Sequence, residues 1–203
     1  MSEFMDIITS DNLSYKQKVL HLAQAAENSE HPIKTTAEFD RLFAAHALDD
    51  MCEGNAPYRP RYICPDYQVF AQNGSEFLRF DKPETLDDLL WGLAALYDNV
   101  PSVTSRPVYV GQLDKIIDPF LEGMTDAEIK PRLRRFLNHI DRTVASGYCH
   151  ANIGPEDTRA GRLLLEVDRE LMNAVPNFTL KYDPEITSDE FMRLAVKTTM
   201  VCS

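Results

Sequence analysis

Along most of the chain, apolar residues recur every three or four positions; they alternate with polar ones most convincingly near the carboxyl end, over 177–182. The first pattern predicts helices and the second a strand. Residues 1–13 read as a loose lead-in, followed by Ser14-Tyr15-Lys16-Gln17, a capping box that opens a helix over about 15–28. A second box, Thr35-Thr36-Ala37-Glu38, precedes Phe39, Leu42, Phe43 and Ala47, predicting a helix to about Met51 that Gly54 ends. A short helix is expected over Tyr67–Gln72. A longer one runs from Pro83-Glu84-Thr85-Leu86 to about Tyr97, with Leu86, Leu89, Leu90, Leu93, Ala94 and Tyr97 as one stripe and Trp91 off it. Leu113, Ile116, Ile117 and Phe120 predict a helix beginning near Gln112 and stopping at Gly123. Thr125-Asp126-Ala127-Glu128 starts another, reaching about Thr143, in which Pro131 tightens or bends the first turn. Helices over about 157–174 and from Thr187-Ser188-Asp189-Glu190 to about Val201 complete the set.

Three segments read as non-helical: the proline-rich run 54–65, residues 101–111 with Val108–Val110 as a very short strand, and a loop over 147–155. Asn177-Phe178-Thr179-Leu180-Lys181-Tyr182 is the convincing strand. A lone strand leaves backbone donors and acceptors unpaired, and only Val108–Val110 and Phe77–Phe80 are candidate partners. A helix precedes and follows it, as in architectures with parallel strands. The expectation is therefore a mainly α chain within an α/β architecture, reading as the opening part of a larger body. A self-sufficient sheet of four or more strands would contradict it.

Composition narrows the function classes. The chain has 203 residues, 44% of them apolar, and a net charge of 21 − 32 = −11. An acidic surface repels phosphate backbones, so general nucleic-acid binding is not expected. No run of about 18 apolar residues suits a membrane span, and the acidic start lacks a signal pattern, so the expected location is the cytoplasm. The cysteines, Cys52, Cys64, Cys149 and Cys202, form no C-x-x-C pair, and the five histidines show no i, i+4 pairing. No metal site is expected from them. Arg132, Arg134 and Arg135 form a basic cluster, read as a solvated face paired with acids.

Several motifs carry a resemblance. Val108-Tyr109-Val110-Gly111-Gln112-Leu113-Asp114 with Asp118-Pro119-Phe120, then Asn152-Ile153-Gly154-Pro155-Glu156-Asp157, then Pro176-Asn177-Phe178-Thr179-Leu180 resemble, in order, segments of the N-terminal part of the glycyl radical enzymes, the pyruvate formate-lyase superfamily. Asn55-Ala56-Pro57-Tyr58, Pro101 to Ser105, His150 to Pro155 and Tyr182 to Thr187 resemble the YjjI-type branch. The resemblance begins near residue 14 and implies that 14–203 is the N-terminal portion of such a domain: a helical outer layer plus the first strand of a ten-stranded α/β barrel, incomplete here. Gln112 stands where the family commonly has arginine, and Lys181 where many members carry arginine after the strand.

The resemblance implies anaerobic radical chemistry on a small organic substrate, formate C-acetyltransferase-like or lyase-like, in the full-length enzyme. Its cofactor would be a glycyl radical installed by an activating enzyme that uses S-adenosylmethionine and an iron–sulfur cluster. The radical glycine and the catalytic cysteine have no counterpart in the chain, and Cys202 comes too early for that role. No catalytic residue is assigned, and the chain alone is expected to be inactive. Gln112, Asp114, His150 and Asn152 are the candidates to line the substrate cavity, weighed against plain structural hydrogen bonding between loop and helix. Expected partners are the activating enzyme, a small-molecule substrate, and the remaining barrel half or a second copy. The alternative is a non-catalytic helical interaction module with a partner surface around Phe178, Leu180 and Tyr182, or one half of a split enzyme.

Overall fold

The structure is a computed structural model that describes residues 3–29, 34–48, 66–76, 79–103, 108–143 and 149–202. The chain divides into two compact units. Residues 1–63 with 102–106 form the first, and residues 64–101 with 107–203 form the second.

The first unit contains α1 (Glu3–Thr9), α2 (Tyr15–Ser29) and α3 (Ala37–Ala44). Helix α1 occupies part of the expected lead-in and packs on α2, where Lys18 Nζ donates to the Ile8 carbonyl at 2.7 Å. The Ser14–Gln17 box is formed, with the Ser14 amide donating to Gln17 Oε1 at 2.9 Å. In α3 the cap is Thr36 rather than Thr35, its hydroxyl accepting from the Phe39 amide. That helix stops well before Met51, which itself lies outside the described residues. His46 takes a left-handed φ of 53°, and the amides of His46 and Ala47 turn back to Phe43 and Leu42. This Schellman closure satisfies the carbonyls that continued helix would have used. The expected extended loop over 54–65 also lies outside the described residues.

The second unit carries α4 (Tyr67–Asn73), α5 (Leu86–Val103, of which it takes the part through Pro101), β1 (Val108–Val110), α6 (Leu113–Ile117), a 3₁₀ turn (Asp118–Leu121), α7 (Asp126–Thr143), β2 (Cys149–Ile153), α8 (Arg159–Leu171), β3 (Asn177–Leu180) and α9 (Asp189–Cys202). The stripe on α5 faces the core, while Trp91 is 65% exposed and meets the Phe80 ring edge-on. Helix α5 runs through Pro101, contrary to the expected break at 101. Proline's fixed φ is itself helical and removes only one donor. Helix α7 is continuous through Pro131 and opens on a tightened turn, in which the Glu128 amide reaches the Thr125 carbonyl at 3.0 Å. Two members of the basic cluster meet acids, Arg132 pairing with Asp87 and Arg134 with Glu170.

The loop expected over 147–155 contains β2, the middle member of a three-stranded parallel sheet ordered β1-β2-β3. The strand over 177–182 is therefore not alone: β3 pairs along its length with β2, and β2 with β1. Each step between strands is a helical crossover, as parallel strands require. The chain is mostly helical with this small parallel sheet. Alternate strand residues point to opposite faces. Val108, Val110, Cys149, Ala151 and Ile153 are buried in the core with α5–α9, and Phe178 and Leu180 pack against it half-buried. The exposed patch expected at Phe178, Leu180 and Tyr182 is thus reduced to Tyr182, which is exposed. No helix among the described residues is long and apolar enough to cross a membrane.

Candidate functional site

The other sheet face is polar. The register places Tyr109, His150 and Asn177 in one row across the three strands, and Asn152 beside Thr179 in the next. His150 and Tyr109 are half-buried, Asn177 and Thr179 exposed, and Asn152 fully buried.

At the carboxyl end of β1 the chain turns sharply into α6. Gln112 supplies the turn with a left-handed φ of 55°, which aims its amide at Asn152 Oδ1 on β2. The Asn152 side chain is held at its other end as well, Nδ2 donating to the Tyr109 hydroxyl at 2.6 Å. The Gln112 side chain accepts from Gln68 Nε2 of α4 at 3.1 Å. Two residues on, Asp114 is completely buried at the start of α6. Its Oδ2 accepts from the Gly154 amide at 3.2 Å and from the Thr158 hydroxyl at 2.8 Å. Thr158 in turn caps α8 by accepting from the Gly161 amide at 3.0 Å. Gly154 has φ +78°, and a Cβ there would lie 2.9 Å from Leu180 Cδ1 and 3.0 Å from the Lys181 carbonyl. Only glycine meets both constraints, so this residue lets the ends of β2 and β3 approach.

The structure thus links three of the four candidates, Gln112, Asp114 and Asn152, through turns at the carboxyl ends of β1 and β2. His150 lies one row back on the same face as Asn152, and its carbonyl accepts from the buried Tyr97 hydroxyl at 3.2 Å. Tyr109, Gln68, Gly154 and Thr158 complete the network and were not among the candidates. Tyr109 was detectable as the polar position of a Val-Tyr-Val strand, whereas nothing local marks Gln68 or Thr158.

The site's electrostatics are muted. Burial pushes the His150 imidazole toward its neutral form. Burial also raises the Asp114 carboxyl, outweighing the hydrogen bonds from Thr158 and Gly154 that pull it down. Beside them Glu156 is held below the usual carboxylate range, chiefly by Lys115 at 2.7 Å. Cys149 projects to the apolar face, and burial, with the nearby Asp98 charge, pushes its thiol up to about 11. Such a thiol stays almost entirely protonated at neutral pH. Among the described residues no group of three or more His, Cys, Asp or Glu is placed to hold a metal ion. A groove of about 250 Å³ opens beside β3, α8 and α9, but none of the four candidates lines it. The chemistry this arrangement offers is neutral hydrogen bonding by amides, a phenol and an imidazole.

The family model of the YjjI-like glycyl radical enzymes matches residues 13–203, a span that holds every element of this site. The chain belongs to the YjjI-like glycyl radical enzyme family. Two curated relatives agree with that. An uncharacterized protein of Haemophilus influenzae is 44% identical over 206 residues, covering all of this chain and 40% of its own length. The uncharacterized protein YjjI of Escherichia coli K12 is 45% identical over 197 residues, covering 97% of this chain and 38% of its own length. The chain spans about two fifths of the length of these relatives.

Proposed function

We propose that the polar face of the β1-β2-β3 sheet is one wall of the substrate cavity of a glycyl radical enzyme. The observation that carries this reading is the two-faced sheet. Parallel sheets are normally covered on both faces. Here one face is buried under helices, while the other presents Tyr109, His150, Asn152, Asn177 and Thr179. In the barrel reading the three strands are the first staves, and the helices form the outer layer. A radical site must exclude water and stray side chains, which a closed wall does.

In this reading the full-length protein carries out anaerobic radical chemistry on a small organic substrate in the cytoplasm, of formate C-acetyltransferase or lyase type. The radical resides on a glycine, supplied by an activating enzyme with S-adenosylmethionine and an iron–sulfur cluster. Gln112, His150, Asn152 and Tyr109 would orient the substrate through neutral hydrogen bonds. Asp114 would act through them, by holding the two turns together. The family's cysteine and radical glycine would come from outside residues 1–203, so this chain alone is silent.

Electron paramagnetic resonance tests the reading. A full-length protein carrying this segment, incubated anaerobically with an activating enzyme, is expected to give a glycyl doublet, and residues 1–203 alone none. A doublet from the 203-residue chain would refute the reading.

A further inference from the structure

Trp91 of α5, the single tryptophan of the chain, and Arg135 of α7 line one groove of about 310 Å³ between the two helices. Both side chains are exposed. Among the described residues the Trp91 indole N–H has no hydrogen-bond partner, and Arg135 meets no acid. Between them the groove is floored by apolar groups. Leu90 and Phe136 are buried there, and the half-buried Ala94 and Ala95 are too short to fill the space above them.

The groove is bounded along its length. Arg132 Nε donates to Asp87 at 3.0 Å, and His139 Nε2 bonds to Asp98 at 2.9 Å, each pair reaching from α7 to α5. The helical rise from Asp87 to Asp98 is roughly 16 Å and that from Arg132 to His139 roughly 10 Å. Trp91 and Arg135 fall within these intervals. A partner's helix or strand would have to run over the two ion pairs, whereas a small molecule fits between them, and ligand sites begin at roughly this volume, ~300 Å³.

Internal pairing leaves only donors over. Asp87 and Asp98 are the acids of the lining, and both are engaged, Asp98 also receiving the Thr143 hydroxyl at 3.4 Å. Acids on the adjoining turns are engaged as well: Asp88 with Thr85, Glu128 with Thr125, and Glu170 with Arg134. The guanidinium of Arg135 and the indole N–H of Trp91 remain, and neither can accept a hydrogen bond. The complement of such a pair is an anionic acceptor. A guanidinium matches a planar carboxylate through two parallel N–H···O bonds, and an exposed indole over an apolar floor matches a flat ring.

We propose that the α5–α7 groove binds a small aromatic carboxylate, with its carboxylate on Arg135 and its ring against Trp91 and the apolar floor. The groove belongs to the helices that cover the apolar face of the sheet, so the proposal stands apart from the cavity reading of the polar face.

Because Trp91 is the only tryptophan, its fluorescence reports on this groove alone. The test titrates the 203-residue chain at low ionic strength with phenylacetate, and with phenylacetamide as the uncharged isostere. The expected result is a saturable change in emission with phenylacetate and binding about tenfold or more weaker for phenylacetamide. In Arg135→Gln the affinity for phenylacetate should fall to that of phenylacetamide, while the affinity for phenylacetamide stays as in the parent. Emission that does not saturate, equal affinity for the two compounds, or an Arg135→Gln protein that binds phenylacetate as the parent does overturns the proposal. Should the variant fail to fold, the Arg135 Nε–Hε resonance of the parent decides. It should shift with phenylacetate and saturate together with the Trp91 signal, and a resonance that stays in place overturns the proposal.

Discussion

Asn152 of β2 donates to the hydroxyl of Tyr109 on β1 at 2.6 Å while its own oxygen receives the Gln112 amide, so one buried carboxamide ties a strand to the turn that follows its neighbour. Both contacts are lost in Asn152→Ala, and each leaves a donor or acceptor without its partner. The expected cost is about 1–3 kcal/mol, read as a lower urea midpoint at unchanged slope. Asn152→Asp adds a buried charge beside the Tyr109 hydroxyl and should cost more than the alanine at neutral pH. Equal stability of all three proteins would show that the network contributes nothing.

Gly154 follows β2 directly and sits against Leu180 and Lys181 at the end of β3. Its left-handed φ and the 2.9 Å separation that a Cβ would have from Leu180 Cδ1 predict that Gly154→Ala loses about 1–3 kcal/mol. The loss should exceed that of Gly111→Ala, where a Cβ meets nothing within 4 Å. Paired thermal melts make the comparison.

His150 gives stability a pH dependence of definite sign. Burial disfavours its charged form, so the unfolded chain takes up the proton first as pH falls. Its contribution is present above pH ~6.5, the ordinary histidine value, and is lost as pH drops from there toward the lower folded-state value. His150→Gln should remove this part of the stability–pH curve and leave the carboxylate-driven acid limb intact. An unchanged slope between neutral and mildly acid pH would contradict it.

Cys149 should be inert in the folded chain. With a thiol at about 11 and 1% exposure, it carries almost no thiolate at pH 8. Iodoacetamide followed by peptide mass spectrometry should find Cys149 unmodified until denaturant is added. Rapid native labelling would mean that β2 opens readily.

Much of the helical layer was legible in the sequence, because capping chemistry is local. Ser14 with Gln17 and Thr125 with Glu128 form the hydrogen bonds their spacing implies. The leucine stripe of α5 is buried because a 3.6-residue period has one possible inward face. Strand β2 was missed for the opposite reason. Cys149-His150-Ala151-Asn152-Ile153 does alternate, but over five residues beside Gly154-Pro155 it reads as a loop. Its identity as a strand comes from pairing with segments 27 and 41 residues away in sequence. That miss made β3 look solitary. The approach of Gln112, Asp114 and Asn152 depends on a left-handed turn at Gln112, which a glutamine does not advertise.

The central claim is that the polar sheet face looks into an enclosed cavity of a larger protein. A crystal structure of a full-length relative measures this directly. The account predicts that the residues aligned with Tyr109, His150 and Asn152 line a closed cavity that also holds a cysteine and a glycine-bearing loop. The same residues facing bulk solvent, or buried against a helix with no cavity between, would contradict it.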